Sequence, residues 1–419
     1  MRTFALAICL FASMPAVALA QESPATSLDS LVQTVIANNP ERRFYDQAIA
    51  AAGREHDVAG RWADPEVSVE FGERRATDPS SGAVLGEGQA YALSVVQPIE
   101  FGGRIALRRA IAERQLDLAR LGLQQFDATL TARARTLGYG LFSADEKAAT
   151  ARTVAQRMRA LAGVVVSRDP SGPAPKLEAA VLEAEAINAE RAAATADALA
   201  NAILYELNQL RGAPFAARIR IIRPDATLQE LPASGTLAAN ATINNFELRS
   251  LRAQFAQQGL RVDLARSSRT PTVNVGPYVN GGRSDTRQMD YGVRLSMTVP
   301  LWNSQASGVA AEQGRQAEAE ATLVSAERRI SRQVFDLSAQ YEAKRLALAR
   351  WGGGEAGHFR ESAEEADRNY RLGAIPLAIY TQMQKAYLDA SFAVLETRSE
   401  AFDALFQLRA LNGGEALTR

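Results

Sequence analysis

The chain has 419 residues, of which 47% are hydrophobic, and its 47 basic and 47 acidic side chains give a formal net charge of zero. A neutral chain has no global field that would attract nucleic acid or a strongly acidic partner. The length would ordinarily accommodate two or three domains. The single cysteine, Cys9, lies near the N-terminus, so the remaining chain offers no disulfide, thiolate nucleophile or thiolate metal site.

The first segment, residues 1–20, has the pattern of a secretory signal peptide. Arg2 precedes an apolar run, and the run ends in the small-x-small sequence Ala18–Ala20. We expect cleavage after Ala20. A membrane anchor is the alternative, which the short apolar run interrupted by Pro15 disfavours. No later run approaches the roughly 20 apolar residues of a spanning helix, so any membrane crossing would need β-strands.

The remaining chain is a tandem repeat. Residues 38–72 align without a gap onto residues 244–278, an offset of 206, and residues 205–212 align with residues 406–413. A chance match of alanine-rich helices would not keep prolines and glycines in register at several separate breaks. The long period indicates a domain duplication rather than a short solenoid. We therefore predict a first repeat over residues 21–212, a linker over residues 213–240 and a second repeat over residues 241–419.

Each repeat is predicted to contain a helix, two strands, a long helix and a return helix. The first helix is predicted from about Leu28 to Arg61. Strands are expected at about 65–73, 89–98, 271–280 and 290–299, because apolar and polar side chains alternate there. Segments of this length and period are typical of membrane β-strands. The connections at 72–88 and 280–288 are polar and rich in turn residues, which predicts exposed loops.

Two long proline-free spans, residues 99–169 and 301–375, predict helices of roughly 100 Å. A narrow, alanine-padded apolar stripe suits coiled-coil packing; in the first span it comprises Ile111, Leu118, Leu121, Phe126, Leu130, Leu137 and Leu141. Three successive glycines, Gly352–Gly354, interrupt the second span. Each glycine costs about 1 kcal/mol in a helix interior, so we expect either a break or an inert surface loop there.

The strand pairs are unlike an ordinary half-buried soluble sheet, because rods rather than a globular core adjoin them. Large aromatic residues stand where strands meet helices, at Trp62, Phe101 and Trp302, as an interfacial girdle requires. A sheet edge in lipid must be closed, and small barrels need about eight strands. Four strands per chain therefore predict an obligate oligomer.

The tandem pattern, together with the stretches LSVVQPIEFGGRIALRRA (93–110) and NYRLGAIPLAIYTQMQKAYLDA (369–390), resembles the outer-membrane efflux protein family, the TolC-like channels. The similarity covers essentially the whole mature chain and is greatest to the branch of cobalt-zinc-cadmium resistance systems. It implies a mainly α fold with a small β part, in which a homotrimer forms a 12-stranded barrel and an α-helical periplasmic tunnel.

The resemblance also implies a location and partners. The chain would lie in the outer membrane of a Gram-negative bacterium and extend into the periplasm. It would act as the passive duct of a tripartite exporter, with a periplasmic adaptor and an inner-membrane pump of the resistance-nodulation-division type. Divalent heavy-metal cations would be the cargo, although a duct's lining records little about what its pump selects.

In that family a tight turn between the long helix and the returning helix meets the adaptor. The resemblance assigns this tip to Arg371, Leu372, Gly373, Ala374 and Ile375 in the second repeat, and to Gly172, Pro173 and Pro175 in the first. A plain helical hairpin is the alternative for these residues. Many relatives carry acidic residues just after the turn, whereas this chain has Ile379 and Gln382, which puts charge-based gating of the aperture in doubt.

Catalytic and metal-binding patterns are absent from the sequence. His56 and His358 stand alone on helical segments, and no nucleophile elbow, phosphate loop or metal-ligand helix pair is present. We therefore expect no enzyme activity, no cofactor and no bound metal. The alternative to a duct is a periplasmic coiled-coil scaffold or adaptor without channel activity.

Overall fold

The structure is a computed structural model that describes residues 25–168, 173–224, 227–283, 287–297, 304–351 and 355–414. The first half of the chain forms β1 (Ala25–Thr26), α1 (Leu28–Asn38), α2 (Arg42–Ala59), β2 (Glu66–Thr77), β3 (Val84–Ile99), α3 (Arg104–Arg168) and α4 (Pro173–Leu210). The second half forms β4 (Arg220–Ile221), α5 (Ser234–Asn244), α6 (Phe246–Ser267), β5 (Val273–Arg283), β6 (Arg287–Met297), α7 (Ser304–Arg350), α8 (Glu355–Arg371) and α9 (Leu377–Leu411). The predicted fold class, mainly α with a small β part, is confirmed. The predicted signal peptide lies outside the described residues.

The prediction of one helix from Leu28 to Arg61 is wrong, because the chain breaks into α1 and α2. Asn39 has an extended backbone with ψ of 123°. A proline restricts the residue before it to extended conformations, and Pro40 follows Asn39. Its side-chain oxygen accepts the N–H of Glu41 at 2.9 Å, which forms an Asx turn. The second half also breaks, at Asn245, but no proline follows; the Asn245 side chain caps α6 by accepting the N–H of Leu248 at 3.1 Å.

The strands are longer than their sequence pattern predicts, and most of the connection 72–88 is paired strand rather than loop. The ladder between β2 and β3 continues to Thr77 and Val84. The turn between them is stabilised by Asp78, whose carboxylate accepts the N–H groups of Ser80 at 2.7 Å and Ser81 at 3.1 Å. In the second hairpin the ladder reaches Arg283 and Arg287. Polar, exposed side chains leave backbone pairing intact, so polarity was a poor signal for a loop. The predicted strand end at residues 298–299 lies outside the described residues.

The two hairpins form one antiparallel four-stranded sheet in the order β2-β3-β5-β6. The central pairing of β3 with β5 places Leu93 opposite Val279 and joins the two halves of the chain. In the described residues the outer edges of this sheet, β2 and β6, pair with no further strand. A separate two-stranded parallel sheet forms from β1 and β4.

The helices follow the same lateral order as the strands. Next to the sheet, α2 packs on α3, α3 on α6, and α6 on α7. Farther from the sheet, α4 packs on α3, α3 on α9, and α9 on α7 and α8. The protein is therefore one layer of rods below one sheet, with α3 and α9 in the middle and an open margin on each side.

The buried apolar residues form two separate clusters at different positions along the rods. One cluster includes Leu31, Leu137, Leu207, Tyr341 and Leu408, and a second, nearer the far end, includes Met158, Leu161, Leu182 and Tyr380. Leu130, Leu137 and Leu141 of the predicted stripe are buried. Residues 352–354 lie outside the description, between α7 and α8.

Candidate functional site

One face of the four-stranded sheet is apolar and exposed. The register puts Val69 opposite Leu93, Leu93 opposite Val279, and Val279 opposite Tyr291 on that face. Its most exposed side chains are Phe71 at 84%, Tyr291 at 79%, Val293 at 72% and Leu295 at 71%. Val67, Val69, Tyr91, Leu93, Val95, Met289 and Met297 also belong to this exposed surface. A contiguous apolar surface of this kind marks a contact with lipid or protein.

The opposite face of the sheet is polar. Glu70, Arg74, Asn280, Gln288 and Asp290 line a depression of about 290 Å³ there. The guanidinium group of Arg294 lies over the Tyr278 ring, 5.2 Å from its centroid. The sheet therefore has one apolar face and one polar face.

Among the described residues, the structure has no helix that is both long and apolar enough to cross a bilayer.

The junction below the sheet holds the two halves together through Arg104 at the start of α3. Its guanidinium group donates to the carbonyl oxygen of Ser267 at 3.2 Å and to the hydroxyl of Thr272 at 3.0 Å, and it also donates to the carbonyl oxygen of Thr270. Arg108, one turn later, forms an ion pair with Glu100. That bond lowers the pKa of Glu100 below its usual value.

Two of the three aromatic residues predicted at the membrane interface lie in the described part of the chain, and both flank this junction. Trp62 is 58% exposed before β2, and Phe101 is 50% exposed after β3. Both side chains are therefore accessible on the surface of the chain. Trp302 lies outside the described residues.

At the far end of the rods, Arg371–Ile375 form the turn that the sequence assigned to the tip. The N–H of Gly373 bonds the carbonyl of Tyr370 at 3.0 Å, and that of Ala374 bonds the carbonyl of Asn369 at 2.9 Å, which is a helix-terminating motif. Gly373 has a φ of +75°, a left-handed backbone that favours glycine. Leu372 projects from the turn with 81% of its surface exposed.

The first-repeat tip is only partly described. Gly172 lies outside the described residues, whereas Pro173 and Pro175 are in the first turn of α4. Past the second-repeat turn, Ile379 and Gln382 are exposed on α9. Whether either tip contacts an adaptor stays a prediction.

A buried cluster of polar aromatic residues supports the second-repeat tip, and sequence reasoning missed it. The rings of Tyr370 and Tyr380 stack with centroids 5.1 Å apart. The Tyr370 hydroxyl donates to Glu178 at 3.1 Å and so joins α8 to α4, while the Tyr380 hydroxyl donates to Asp367 at 3.4 Å. Burial, assisted by the charge of Asp367, raises the pKa of the Tyr380 phenol.

The described residues contain no group of three or more histidine, cysteine, aspartate or glutamate side chains placed to hold a metal ion. His56 lies beside a single carboxylate, with Nδ1 3.7 Å from Asp57. His358 contacts the ring of Phe359.

No protein-family model matches the chain, and no curated protein is significantly similar to it in sequence. Solved structures are similar over almost its whole length. CusC, which forms a transmembrane channel, superposes with a TM-score of 0.75 at 12% identity, covering 95% of this chain and 96% of CusC. The chain has the fold of the TolC-like outer-membrane channels. The CmeC outer-membrane channel of Campylobacter jejuni gives a TM-score of 0.73 at 14% identity, over 96% and 92% of the two chains. The open state of the Neisseria gonorrhoeae MtrE outer-membrane channel gives 0.72 at 15% identity, over 97% and 98%. The TolC-like fold implied by the sequence motifs is thereby confirmed.

Proposed function

We propose that this protein is the outer-membrane channel of a tripartite efflux system and acts as a passive export duct that extends into the periplasm. The observation that carries the proposal is the two-faced sheet, whose apolar side is exposed and whose polar side faces away from it. A sheet of this kind suits a lipid bilayer on one side and a water-filled lumen on the other.

The two margins of the molecule support a homotrimer. In lipid, the unpaired backbone groups along β2 and β6 would be costly, so these edges need partners. The edges differ in sequence and lie on opposite sides of one layer, which suits a head-to-tail ring. Three copies of four strands would give a 12-stranded barrel, and the aligned helices below would close a tunnel. Trp62, Phe101 and Trp302 would then mark the membrane interface.

The tip supports a role for a periplasmic adaptor and an inner-membrane pump. Leu372 is a large apolar side chain exposed on the turn at the end of a rod. The backbone N–H groups of that turn are already hydrogen-bonded within the chain. We assign adaptor contact to Arg371–Ile375 and, in the first repeat, to Gly172, Pro173 and Pro175. The pump, of the resistance-nodulation-division type, would deliver cargo through the adaptor.

Divalent heavy-metal cations are the proposed cargo. The support is the similarity of residues 93–110 to the metal-resistance branch of the family. The described residues form no metal-binding cluster. Deleting the gene and testing growth on metals, dyes and organic toxicants separates this cargo from others. Sensitivity to dyes alone would contradict the metal assignment.

The alternative, a periplasmic scaffold, would leave the apolar face of the sheet in water, where so large a patch favours aggregation. An enzyme has no support either, since the solved structures that share the fold are channels.

Membrane fractionation followed by conductance measurement tests the proposed function. The protein should extract from the outer membrane only with detergent, migrate as a trimer and conduct ions in planar bilayers. A monomer that stays in solution without detergent would refute the proposal.

A further inference from the structure

Two neighbouring cavities on the middle of the rods are lined by arginines. The first, of about 550 Å³, lies between the segment around β4, α3 and α9. The second, of about 380 Å³, lies between α3, α7, α8 and α9. Arg223 lines both cavities. We call this surface the arginine groove; its arginines are Arg135, Arg223, Arg360, Arg398 and Arg409.

The described lining of the arginine groove is positively charged, although the chain as a whole is neutral. Its described lining has only two carboxylates, Asp29 and Glu146. Asp29 lies 3.3 Å from Arg135, and Glu146 lies 3.8 Å from Arg223. Elsewhere on this stretch of α9, Glu396 is paired with Lys147 and Glu400 with Lys344, and Asp403 accepts hydrogen bonds from Thr136 and Gln407.

In the part of the chain that the structure describes, three arginines of the groove have no carboxylate within ion-pair distance: Arg360, Arg398 and Arg409. Arg398 hydrogen-bonds Tyr139, and Asp29 acts on Arg409 only at longer range. The Nε atom of Arg409 is buried and has no hydrogen-bond acceptor among the described residues. Burial, together with the positive charge of Arg135, lowers the pKa of Arg409. A buried donor without a partner is costly, which marks this guanidinium group as incompletely satisfied within the chain.

The positions of the two cavities along the rods favour an extended ligand. Between Tyr387 and Arg409, α9 rises by about 33 Å, which matches about ten residues of extended polypeptide. Trp351 and Tyr387 line the end that is farther from Arg409. The groove runs over α3 and α9, the central rods, and so avoids the open margins at β2 and β6.

We propose that the arginine groove binds an extended acidic segment of a periplasmic partner protein. The recognition is ionic: successive carboxylates of the segment accept hydrogen bonds from the guanidinium groups in bidentate geometry. The proposal rests on the proposed function only for the location of the groove in the periplasm.

Fluorescence anisotropy with labelled decaglutamate and decaglutamine peptides, added to the detergent-purified full chain, tests the groove. Decaglutamate should bind with an affinity that falls as salt is added, and decaglutamine should not bind. The double variant Arg360→Gln/Arg398→Gln should weaken binding at least about tenfold, since each lost guanidinium removes charge-assisted hydrogen bonds. Both arginines are exposed, so the variant should fold.

Arg332→Gln is the matched control, because Arg332 lies on α7 outside the groove and is paired with Asp336 at 2.6 Å. It should leave binding unchanged. Equal binding of both peptides, or unchanged affinity in the double variant, overturns the proposal. Displacement of decaglutamate by an equal concentration of inorganic phosphate also overturns it, in favour of a small-anion site. Planar-bilayer conductance of the same samples separates the two proposals: conductance without peptide binding refutes only the groove, and peptide binding without conductance refutes only the channel.

Discussion

Asn39 and Asn245 make the same bond in the two halves of the chain: each side-chain amide donates to the carbonyl oxygen at the end of its return helix, Leu210 and Leu411, both at 2.9 Å. Each residue also interrupts the helix in which it would otherwise lie. Both asparagines are buried, at 5% exposure. This matched geometry supports the proposed division into repeats at residues 21–212 and 241–419.

Asn245→Ala should destabilise the protein. It removes the cap on Leu248 and leaves the Leu411 carbonyl without its donor, so we expect the free energy of unfolding to fall by about 2 kcal/mol. Thermal unfolding of the purified protein measures the change. Asn245→Asp keeps the acceptor for Leu248 and loses only the donor, so its midpoint should lie between those of the wild type and the alanine variant. Identical midpoints for all three would contradict the role of this side chain.

Gly413→Ala should be more harmful than Gly414→Ala. Both glycines have a positive φ, +85° and +81°, so both substitutions incur the strain of a left-handed backbone, about 1 kcal/mol. A Cβ on Gly413 would lie 2.9 Å from the carbonyl oxygen of Asn244, whereas the nearest atom to one on Gly414 is 4.0 Å away. The unfolding midpoint should therefore fall further for Gly413→Ala. Equal losses would show that the close approach to Asn244 is unimportant.

Leu295→Arg and Ser296→Arg place the same charge on opposite faces of β6. Leu295 pairs with Val275 on the apolar face, and Ser296 pairs with Asn274 on the polar face. On a lipid face an arginine costs about 2–4 kcal/mol near the bilayer midplane, whereas a lumen-facing arginine is hydrated. Leu295→Arg should reduce the yield of detergent-stable trimer several-fold, and Ser296→Arg should leave it near that of the wild type. A greater loss of trimer with Ser296→Arg than with Leu295→Arg would contradict the assignment of the apolar face to lipid.

The stability of the sheet–helix junction should depend on pH through Glu100. Its pKa is lowered in the folded protein, first by the hydrogen bonds from Arg108, so the carboxylate contributes stability above its ordinary value of 4.5. That contribution is lost as the pH falls through the lowered pKa. Glu100→Gln should therefore lower the unfolding midpoint at pH 7 and have a smaller effect at pH 3. Glu87→Gln, which breaks the exposed ion pair with Arg75, should change little at either pH.

Leu372→Glu should stop export without affecting the amount of trimer or its conductance. The side chain is 81% exposed, so its replacement costs the fold little, but a charge at the tip would oppose an apolar contact with the adaptor. Leu372→Met should export normally. Growth of a deletion strain that carries each variant, on the substrate to which the deletion is sensitive, is the measurement. Normal growth with Leu372→Glu would remove the docking assignment and leave the channel proposal intact.

The switch from strand to helix at residues 97–104 could be predicted from the sequence, because a period of two gives way to a helical period across a proline and two glycines. The break at Asn39 was also signalled by the Asn39–Pro40 pair, but apolar residues continue at helical spacing on both sides and led to the prediction of one helix. Its cause is a local side-chain bond together with the conformational limit before Pro40. The polar composition of residues 72–88 wrongly predicted a loop, because most of these residues form paired strands with exposed side chains.

The sites that depend on packing were not predictable from a linear pattern. Tyr370 and Tyr380 become a buried stack only when α8 and α9 meet. The arginine groove collects residues between Asp29 and Arg409, and nothing in their spacing indicates that they converge.

The contacts of Arg104 have a consequence for the order of assembly during synthesis. Its acceptors at Ser267 and Thr270, and the strand β5 that pairs with β3, come more than 160 residues later in the chain. Until that later segment emerges, the first hairpin has two unprotected edges, a template for pairing with other nascent chains. The first hairpin is therefore open to wrong pairing during synthesis for as long as its partner strand β5 is missing.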